Sequence, residues 1–494
     1  MAEPLVVIVG ACTDTSARIF VAADVGKSPA APVARIAWRV AGGPVNSPAP
    51  LALTSAPPYE TGVFELAGLP ASAEIEYAVD AADGAASLTP AATLLAGAGA
   101  RTFRLLPNGR PLRVALVSCN GPDEQKLGAG EMYAMWRRLG AEIAAGRVDL
   151  IVHCGDQIYA DGIKAQAEPQ PDVAALTRRY RRKYVEVWSR PILRRVLGSC
   201  PSLMTWDDHD VYDGRGSQDD DDAPRQRGIF EAARQAYAEF QTSHGAQRLG
   251  ASSAAWSFVH AGLGILGLDL RTNRRWSSGT VMGAGQIADV RAWLVSNAPR
   301  LKHLYVVSSI PPVHAQVAAL LSLFELTPWT EELTDDLRDT WVARNNRREF
   351  ADLVLPLFSA LAANRGLRIT VLGGDVHVAT AGWIESRLSA HALGGRPARM
   401  HQVVSSGIGT LPPSTFETAA MKAIMPGEIE LVRDHVVGVL SPIEGLGDRV
   451  LARRNFVVLS LEDSRGAWSA HGNVTAAYHA EGCDEPYMHQ FYGS

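Results

Sequence analysis

The sequence predicts an N-terminal β-sandwich followed by an α/β domain built on two facing sheets flanked by helices. Three observations predict it. Short apolar runs crowd residues 1–108. Buried-strand runs alternate with helical patterns from residue 109 to residue 494. Polar residues of metal-binding type stand directly after those strands. A chain of 494 residues also exceeds one hydrophobic core, which stops growing near ~250–300 residues.

In residues 1–108 the apolar runs are Leu5–Val9, Ala17–Ala22, Ala34–Val40, Val63–Leu66 and Ile75–Val79, separated by Gly, Pro and Ser. Short strands with frequent turn residues make a sandwich. Leu66-Ala67-Gly68-Leu69-Pro70 ahead of Ile75-Glu76-Tyr77 resembles the strand-turn-strand passage of fibronectin-type domains, and Pro107-Asn108-Gly109-Arg110-Pro111 marks the boundary. Beyond it, Arg113–Ser118, Leu150–His153, Leu203–Trp206, Leu263–Leu268, Leu304–Ser308 and Ile369–Leu372 read as buried strands. Residues 130–146 and 172–197 show helical spacing, the latter punctuated by Pro191. Val403–Val404 and Val457–Leu461 add late strands, hence a second sheet. The acidic run Asp219–Asp222 reads as a solvated loop, and the apolar stretch 317–328 as a core or lid helix.

Composition narrows the function. Hydrophobic residues make up 47% and charged residues 20%, a globular balance. A net charge of −5 carries no basic excess to hold nucleic acid or anionic membrane, so nucleic acid enters only as a substrate. The most apolar run, Val317–Leu326, is shorter than the ~20 residues of a membrane span. Five cysteines, Cys12, Cys119, Cys154, Cys200 and Cys483, are too sparse for a disulfide framework. Met1-Ala2-Glu3-Pro4 lacks the positive start of a secretory signal. The expected compartment is the cytoplasm, or a secreted or periplasmic one where a leader has been trimmed.

The chemistry lies at the strand ends. They read Ser118-Cys119-Asn120, Gly155-Asp156-Gln157-Ile158-Tyr159, Asp207-Asp208-His209-Asp210, Asp269-Leu270-Arg271 and Gly373-Gly374-Asp375-Val376-His377. Ligands bind at the carboxyl ends of strands in open α/β sheets, and five of the six strand ends deliver charged or metal-binding groups there. Phosphate esters resist hydrolysis because anionic nucleophile and anionic substrate repel. Two metals relieve this by acidifying a water and neutralising phosphoryl oxygens. Asp156 is the candidate bridging carboxylate. Cys119 as thiolate and Tyr159 as phenolate suit a Lewis-acidic metal. Asp208 and Asp375 supply hard oxygens for a hard second metal, and His377 can reach the first. His209 stands over the leaving group, with Asp210 fixing its orientation.

Taken together, GDxxY, the Asp-His-Asp triplet in Thr205–Asp210, Leu268-Asp269-Leu270-Arg271 and GGDVH at 373–377 resemble the calcineurin-like metallophosphoesterases. The alkaline phosphatase D (PhoD-like) branch is the nearest likeness, with Ser118-Cys119 in place of the usual first-motif aspartate and a sandwich ahead of the catalytic domain. The resemblance implies a phosphate mono- or diester hydrolase working by in-line attack of a metal-activated water, with no covalent enzyme intermediate. It implies Fe(III) on Cys119, Asp156, Tyr159 and His377. It implies Ca(II), or Zn(II), Mn(II) or Co(II), on Asp156, Asp208 and Asp375. His209 becomes the proton donor, and Arg271 a fork for a non-bridging phosphate oxygen. The chain departs from the pattern twice: Ser308-Ser309-Ile310 stands where a histidine is usual, and Val211–Ser217 where an Asn-Asn pair is.

Each residue also has an ordinary reading. Cys119 could be a buried apolar residue, Asp156 a helix N-cap, Tyr159 packing and His377 a satisfied core histidine. Residues 208–210 could be a solvated turn, Arg271 the ion-pair partner of Asp269, and His314 turn punctuation after Pro311-Pro312. Competing functions are a phospholipase D-like phosphodiesterase, a non-catalytic metal-binding or adhesion protein, and a redox iron site. The ordered set of strand-end ligands favours hydrolysis.

Overall fold

The computed structural model describes residues 5–25, 31–121, 128, 131–314, 338–424, 427–463, 466–469 and 472–492. Two four-stranded antiparallel sheets form the N-terminal sandwich. One orders Val6–Cys12, Ala17–Ala23, Tyr59–Leu66 and Thr54–Ala56; the other orders Leu51–Ala52, Pro32–Val40, Glu74–Asp83 and Arg101–Arg104. The three unpredicted strands, Leu51–Ala52, Thr54–Ala56 and Arg101–Arg104, are edge strands too short to show alternation.

Period-two alternation explains how the sandwich docks. Val7, Val9, Ile19 and Val21 point into its core with Ile36, Ile75 and Tyr77. Their neighbours Val6, Ile8, Phe20 and Ala22 point the other way, into a core shared with helices of the larger domain.

The larger domain holds a six-stranded sheet in the order Ser202–Thr205, Leu150–Cys154, Val114–Val117, Asn455–Ser460, Val474–Ala480, Tyr487–Phe491. A nine-stranded sheet faces it, with Leu263–Gly267, His303–Ser308, Arg368–Gly373 and Ala398–Val404 parallel at its centre. Leu116, Val152 and Leu203 of the first sheet share a core with Ile265, Tyr305, Leu372 and Val403 of the second. The opposite faces carry helices. Ala115, Val117, Ile151 and Met204 pack with Ala134–Ala144, Val173–Trp188, Pro191–Leu197 and Pro224–Tyr237. Leu266, Val306, Ile369 and Val371 pack with Gly283–Asn297 and Arg347–Ala363. The result is a four-layer stack with both parallel segments buried.

Local signals set the helix bounds. Asp172 caps Val173–Trp188 by accepting from the Ala175 amide at 3.1 Å. Pro191, in the first turn of the next helix, splits the 172–197 run in two. The acidic run is exposed at Asp219, Asp220 and Asp222, as a solvated loop should be, and departs from that expectation at Asp221. Asp221 is 2% exposed, accepts from the Gly216 amide and the Tyr212 hydroxyl, and pairs with buried Arg215 at 3.2 Å. A carboxylate that satisfies that many donors anchors the loop at this one residue. The apolar stretch 317–328 lies outside the described residues. Among the described residues no helix is long and apolar enough to cross a membrane.

Leu116 is fully buried between the two sheets. Leu116→Ala is expected to cost ~2–5 kcal/mol in urea unfolding; a loss under about 1 kcal/mol would mean that the two sheets are not packed as described.

Candidate metal centre

The parallel strands Val114–Val117, Leu150–Cys154, Ser202–Thr205 and Arg368–Gly373 all end at one edge of the facing sheets. Oxygens of Asp156, Asp207, Asp208 and Asp375 lie there within 4.8 Å of one another, and Asp156, Asp208 and a ring nitrogen of His209 form a second such group. The Cys119 sulfur faces Asp156 Oδ2 at 3.4 Å, and the Tyr159 hydroxyl faces His377 Nε2 at 3.2 Å. The six residues expected to bind metal thus form two adjoining groups. Cys119 touches Asp156, and Tyr159 and His377 touch each other.

Two observations fit this set to metal. Asp156 Oδ1 and Asp207 Oδ2 are buried without a hydrogen-bond partner. An unpaired buried carboxylate oxygen costs free energy that a cation recovers. The backbone points the same way. Cys119, Asp156, Asp375 and His377 have φ of 55°, 57°, 66° and 54°, in the left-handed region. Each costs roughly 1–2 kcal/mol for a residue with a Cβ, and such strain clusters where side-chain aim matters more than local comfort. Gly155 (φ 89°) precedes Asp156 because an added Cβ would sit 2.5 Å from Asp207 Cβ.

Asp210 does not orient His209. Its carboxylate accepts the backbone amides of Asp156 (2.9 Å), Gln157 (3.2 Å), Ile158 (3.3 Å) and Asp207 (3.0 Å). Asp208–Asp210 is one turn of 3-10 helix, and Asp207 and Asp210 cap each other there, so the Asp210 side chain folds back beneath the Asp156 loop. His209 instead donates Nδ1–H to Asp161 Oδ1 at 3.0 Å, and its ring stacks on Tyr159 at 4.1 Å. Asp161 also accepts from the Asp213 amide at 2.7 Å.

Arg271 is fully buried and pairs with other partners than Asp269. Its guanidinium meets Asp207 Oδ1 at 2.5 Å, Asp339 Oδ2 at 2.6 Å and Asp208 Oδ1 at 3.4 Å, while Asp269 accepts only its backbone amide. Asp339 is shared with Arg274 at 2.8 Å. Arg271 here is a counter-charge beneath the carboxylates, its fork already filled by protein oxygens.

Most of the further residues around the site carry no signal in the sequence. Asp207 could have been suspected from the paired aspartates. Ser309, where a histidine is usual, donates to Asp207 Oδ1 at 2.7 Å. Ser406 Oγ contacts the Cys119 sulfur at 3.1 Å and accepts the His377 amide at 2.7 Å. The Thr410 hydroxyl donates to the Cys119 carbonyl at 2.9 Å, and its oxygen lies 3.1 Å from the Tyr159 hydroxyl. His314 is half-buried, with its Nδ1 buried and unpaired, and desolvation pushes the imidazole down to about 4.

Burial dominates the electrostatics. It raises Cys119 to about 11 and holds Tyr159 and Asp156 well above their ordinary ranges. Such groups ionise when a cation binds them. Asp208 is the exception: burial opposes its charge, but Arg271 and His209 outweigh it and lower the pKa. Burial also opposes a charge on His209, and Asp208, Asp161 and Asp156 overcome it, raising the imidazole well above its usual range.

Burial pushes Asp210 up to about 7 and raises Asp207 and Asp375 as well. A carboxyl raised from ~3.9 contributes stability that is complete below that value and is lost as pH climbs through the folded one. For Asp207 and Asp210, raised to about 6 and about 7, the loss falls between about pH 4 and about pH 7. Buried histidines such as His377, lowered by burial to about 4, act in the opposite sense over the same range, equally in parent and variant. Metal-free Asp210→Asn, which lacks one of these carboxyls, is therefore expected to lose less melting temperature, or gain more, than the metal-free parent as pH rises from about 4 to about 7. Parallel profiles of the two proteins over that range would contradict the raised Asp210 carboxyl.

A sequence model described as PhoD-like phosphatase matches residues 114–418. An uncharacterized protein of Saccharomyces cerevisiae is 25% identical over 251 residues, 40% of this chain and 35% of the relative. The chain thus spans about a third of that curated relative's length. Among solved structures, a PhoD superposes with a TM-score of 0.63 at 15% identity, covering 100% of this chain and 91% of that one. A purple acid phosphatase from yellow lupin (Lupinus luteus) seeds gives 0.54 at 11% identity, covering 98% and 74%. These two likenesses establish the fold, a sandwich followed by two facing sheets. With residues 114–418 of 494 matched, the chain belongs to the PhoD-like phosphatase family.

Proposed function

We propose that this chain is a metal-dependent phosphoesterase whose ligands are Cys119, Asp156, Tyr159, Asp208, Asp375 and His377, and whose substrates are phosphate mono- or diesters. The observation that carries the reading is the buried, partnerless Asp156 Oδ1 inside a ring of carboxylates. Thiol and phenol donors around Cys119 and Tyr159 suit Fe(III). The all-oxygen set of Asp156, Asp208 and Asp375 suits Ca(II) first, with Zn(II), Mn(II) or Co(II) as substitutes. When bound, the metals supply Lewis acidity and an acidified water.

The protein's own residues do the rest. Asp210 fixes the amides that hold Asp156 in its left-handed conformation. Arg271 offsets the charge of Asp207 and Asp208 from below. Asp161 accepts from His209 Nδ1, which leaves Nε2 as the nitrogen that carries the second proton. His209 gives that proton to the departing alkoxide or phenoxide oxygen, and the neighbouring carboxylates keep the imidazole charged until then. Asp161 is the positioning residue and His209 the catalytic acid.

Asp156→Asn is expected to abolish hydrolysis of p-nitrophenyl phosphate and bis-p-nitrophenyl phosphate, with metal content lowered and circular dichroism unchanged. Retained turnover would refute the assignment. His209→Gln should lower kcat by roughly 10²–10⁴-fold on alkyl esters and far less on p-nitrophenyl esters, whose leaving group needs no proton. Equal losses on both would remove the acid role.

A further inference from the structure

The helix Pro224–Tyr237 does not end as an α-helix. Its last turn, Ala238–Thr242, is a π turn, a wider geometry that recurs at functional sites. The turn carries Gln241, 1% exposed, whose Nε2 donates to Asp210 Oδ1 at 3.1 Å and to the Tyr184 hydroxyl at 2.9 Å. Among the described residues Gln241 is the one side chain that donates to Asp210. Its own Oε1 is buried and unpaired. A buried glutamine with a wasted acceptor is kept for its donor end.

The same turn is gripped from outside by the sandwich. Phe20 packs on Phe240 and His244 at 5.5 and 5.2 Å between ring centres, and the Ala11 amide donates to the His244 carbonyl at 2.9 Å. Gly10 allows this approach, because a Cβ there would lie 2.2 Å from the His244 oxygen. A continuous line of contacts therefore runs from the sandwich strand Val6–Cys12 through the π turn and Gln241 to Asp210. From there it reaches the amides of Asp156, Gln157 and Ile158.

We infer that Gln241 is a positioning residue for the metal-binding loop at Asp156, and that the N-terminal sandwich supports the metal centre by holding the π turn that carries it. This rests on the metal reading above only for its second readout. Gln241 completes the donor set of Asp210, which otherwise consists of backbone amides. Without it the carboxylate loses its one tether to the helix layer, and the strained loop relaxes away from the geometry that aims Asp156.

The test uses the full-length protein. In chelator-treated Gln241→Met, which keeps the bulk and removes the donor, amide hydrogen exchange at Asp156, Gln157 and Ile158 is expected to rise about tenfold. The dissociation constant for Mn(II) is expected to rise by roughly 10–100-fold, as when groups behind a metal ligand are removed. Gly10→Ala, remote from the centre, is expected to shift both readouts the same way, and it decides alone where Gln241→Met yields no soluble protein. Ile36→Ala, a sandwich-core change, should lower the melting temperature and leave both readouts unmoved. Parent-like exchange and Mn(II) affinity in Gln241→Met would overturn the role of Gln241. Gly10→Ala behaving as Ile36→Ala does would overturn the role of the sandwich. A parent protein that binds no Mn(II) would instead sink the metal reading, with the exchange comparison still deciding this one.

Discussion

Mutual repulsion among buried carboxylates is the constraint around which this molecule is arranged. Asp156, Asp207, Asp208 and Asp375 crowd within 4.8 Å. At an effective dielectric of about 20, each pair of like charges near 4 Å repels by roughly 4 kcal/mol. No fold tolerates that without compensation. Beneath the cluster, Arg271 and Arg274 share Asp339 and neutralise one side. Around it, hydrogen-bond donors run out, leaving single oxygens of Asp156 and Asp207 bare. Cations on the open side would complete the arrangement, and the strained backbone at four of the proposed ligands is the local cost of aiming them there.

Much of this is legible in the chain itself. Buried strands announce themselves as apolar runs, and residues just past their ends must lie at one edge of a parallel sheet. That geometry alone brings Cys119, Asp156, Asp208, Asp375 and His377 together. Adjacency in sequence misleads where the chain turns sharply. Asp210 comes directly after His209, yet one 3-10 turn sends its carboxylate under the Asp156 loop, and Asp161, from another segment, meets the imidazole. Arg271 reads as a partner of Asp269 or of phosphate because nothing in a linear chain reveals Asp339. Gln241, Ser406 and Thr410 are invisible for the same reason: common polar residues whose meaning lies wholly in what folds against them.

Layering explains why the sandwich and the larger domain behave as one body. The strands Val6–Cys12 and Ala17–Ala23 are apolar on both faces, one turned to their own sandwich and the other to the helices over the six-stranded sheet. A sheet with two buried faces is an internal layer, not an appendage. The N-terminal region thus extends the hydrophobic stack that positions the carboxylates, and its boundary is a change of connectivity more than a break in packing.

The strand order of the six-stranded sheet has a consequence for synthesis. Val114–Val117, which leads to Cys119, lies between Leu150–Cys154 and Asn455–Ser460, and the latter pairs onward with Val474–Ala480. A nascent chain emerging from the ribosome therefore carries an unpaired hydrophobic strand edge until residues 455–460 have been made. The sheet beside Cys119 closes only through that long-range pairing, which is a slow kind of step because a long loop must be closed first. An open edge held that long is what chaperones recognise.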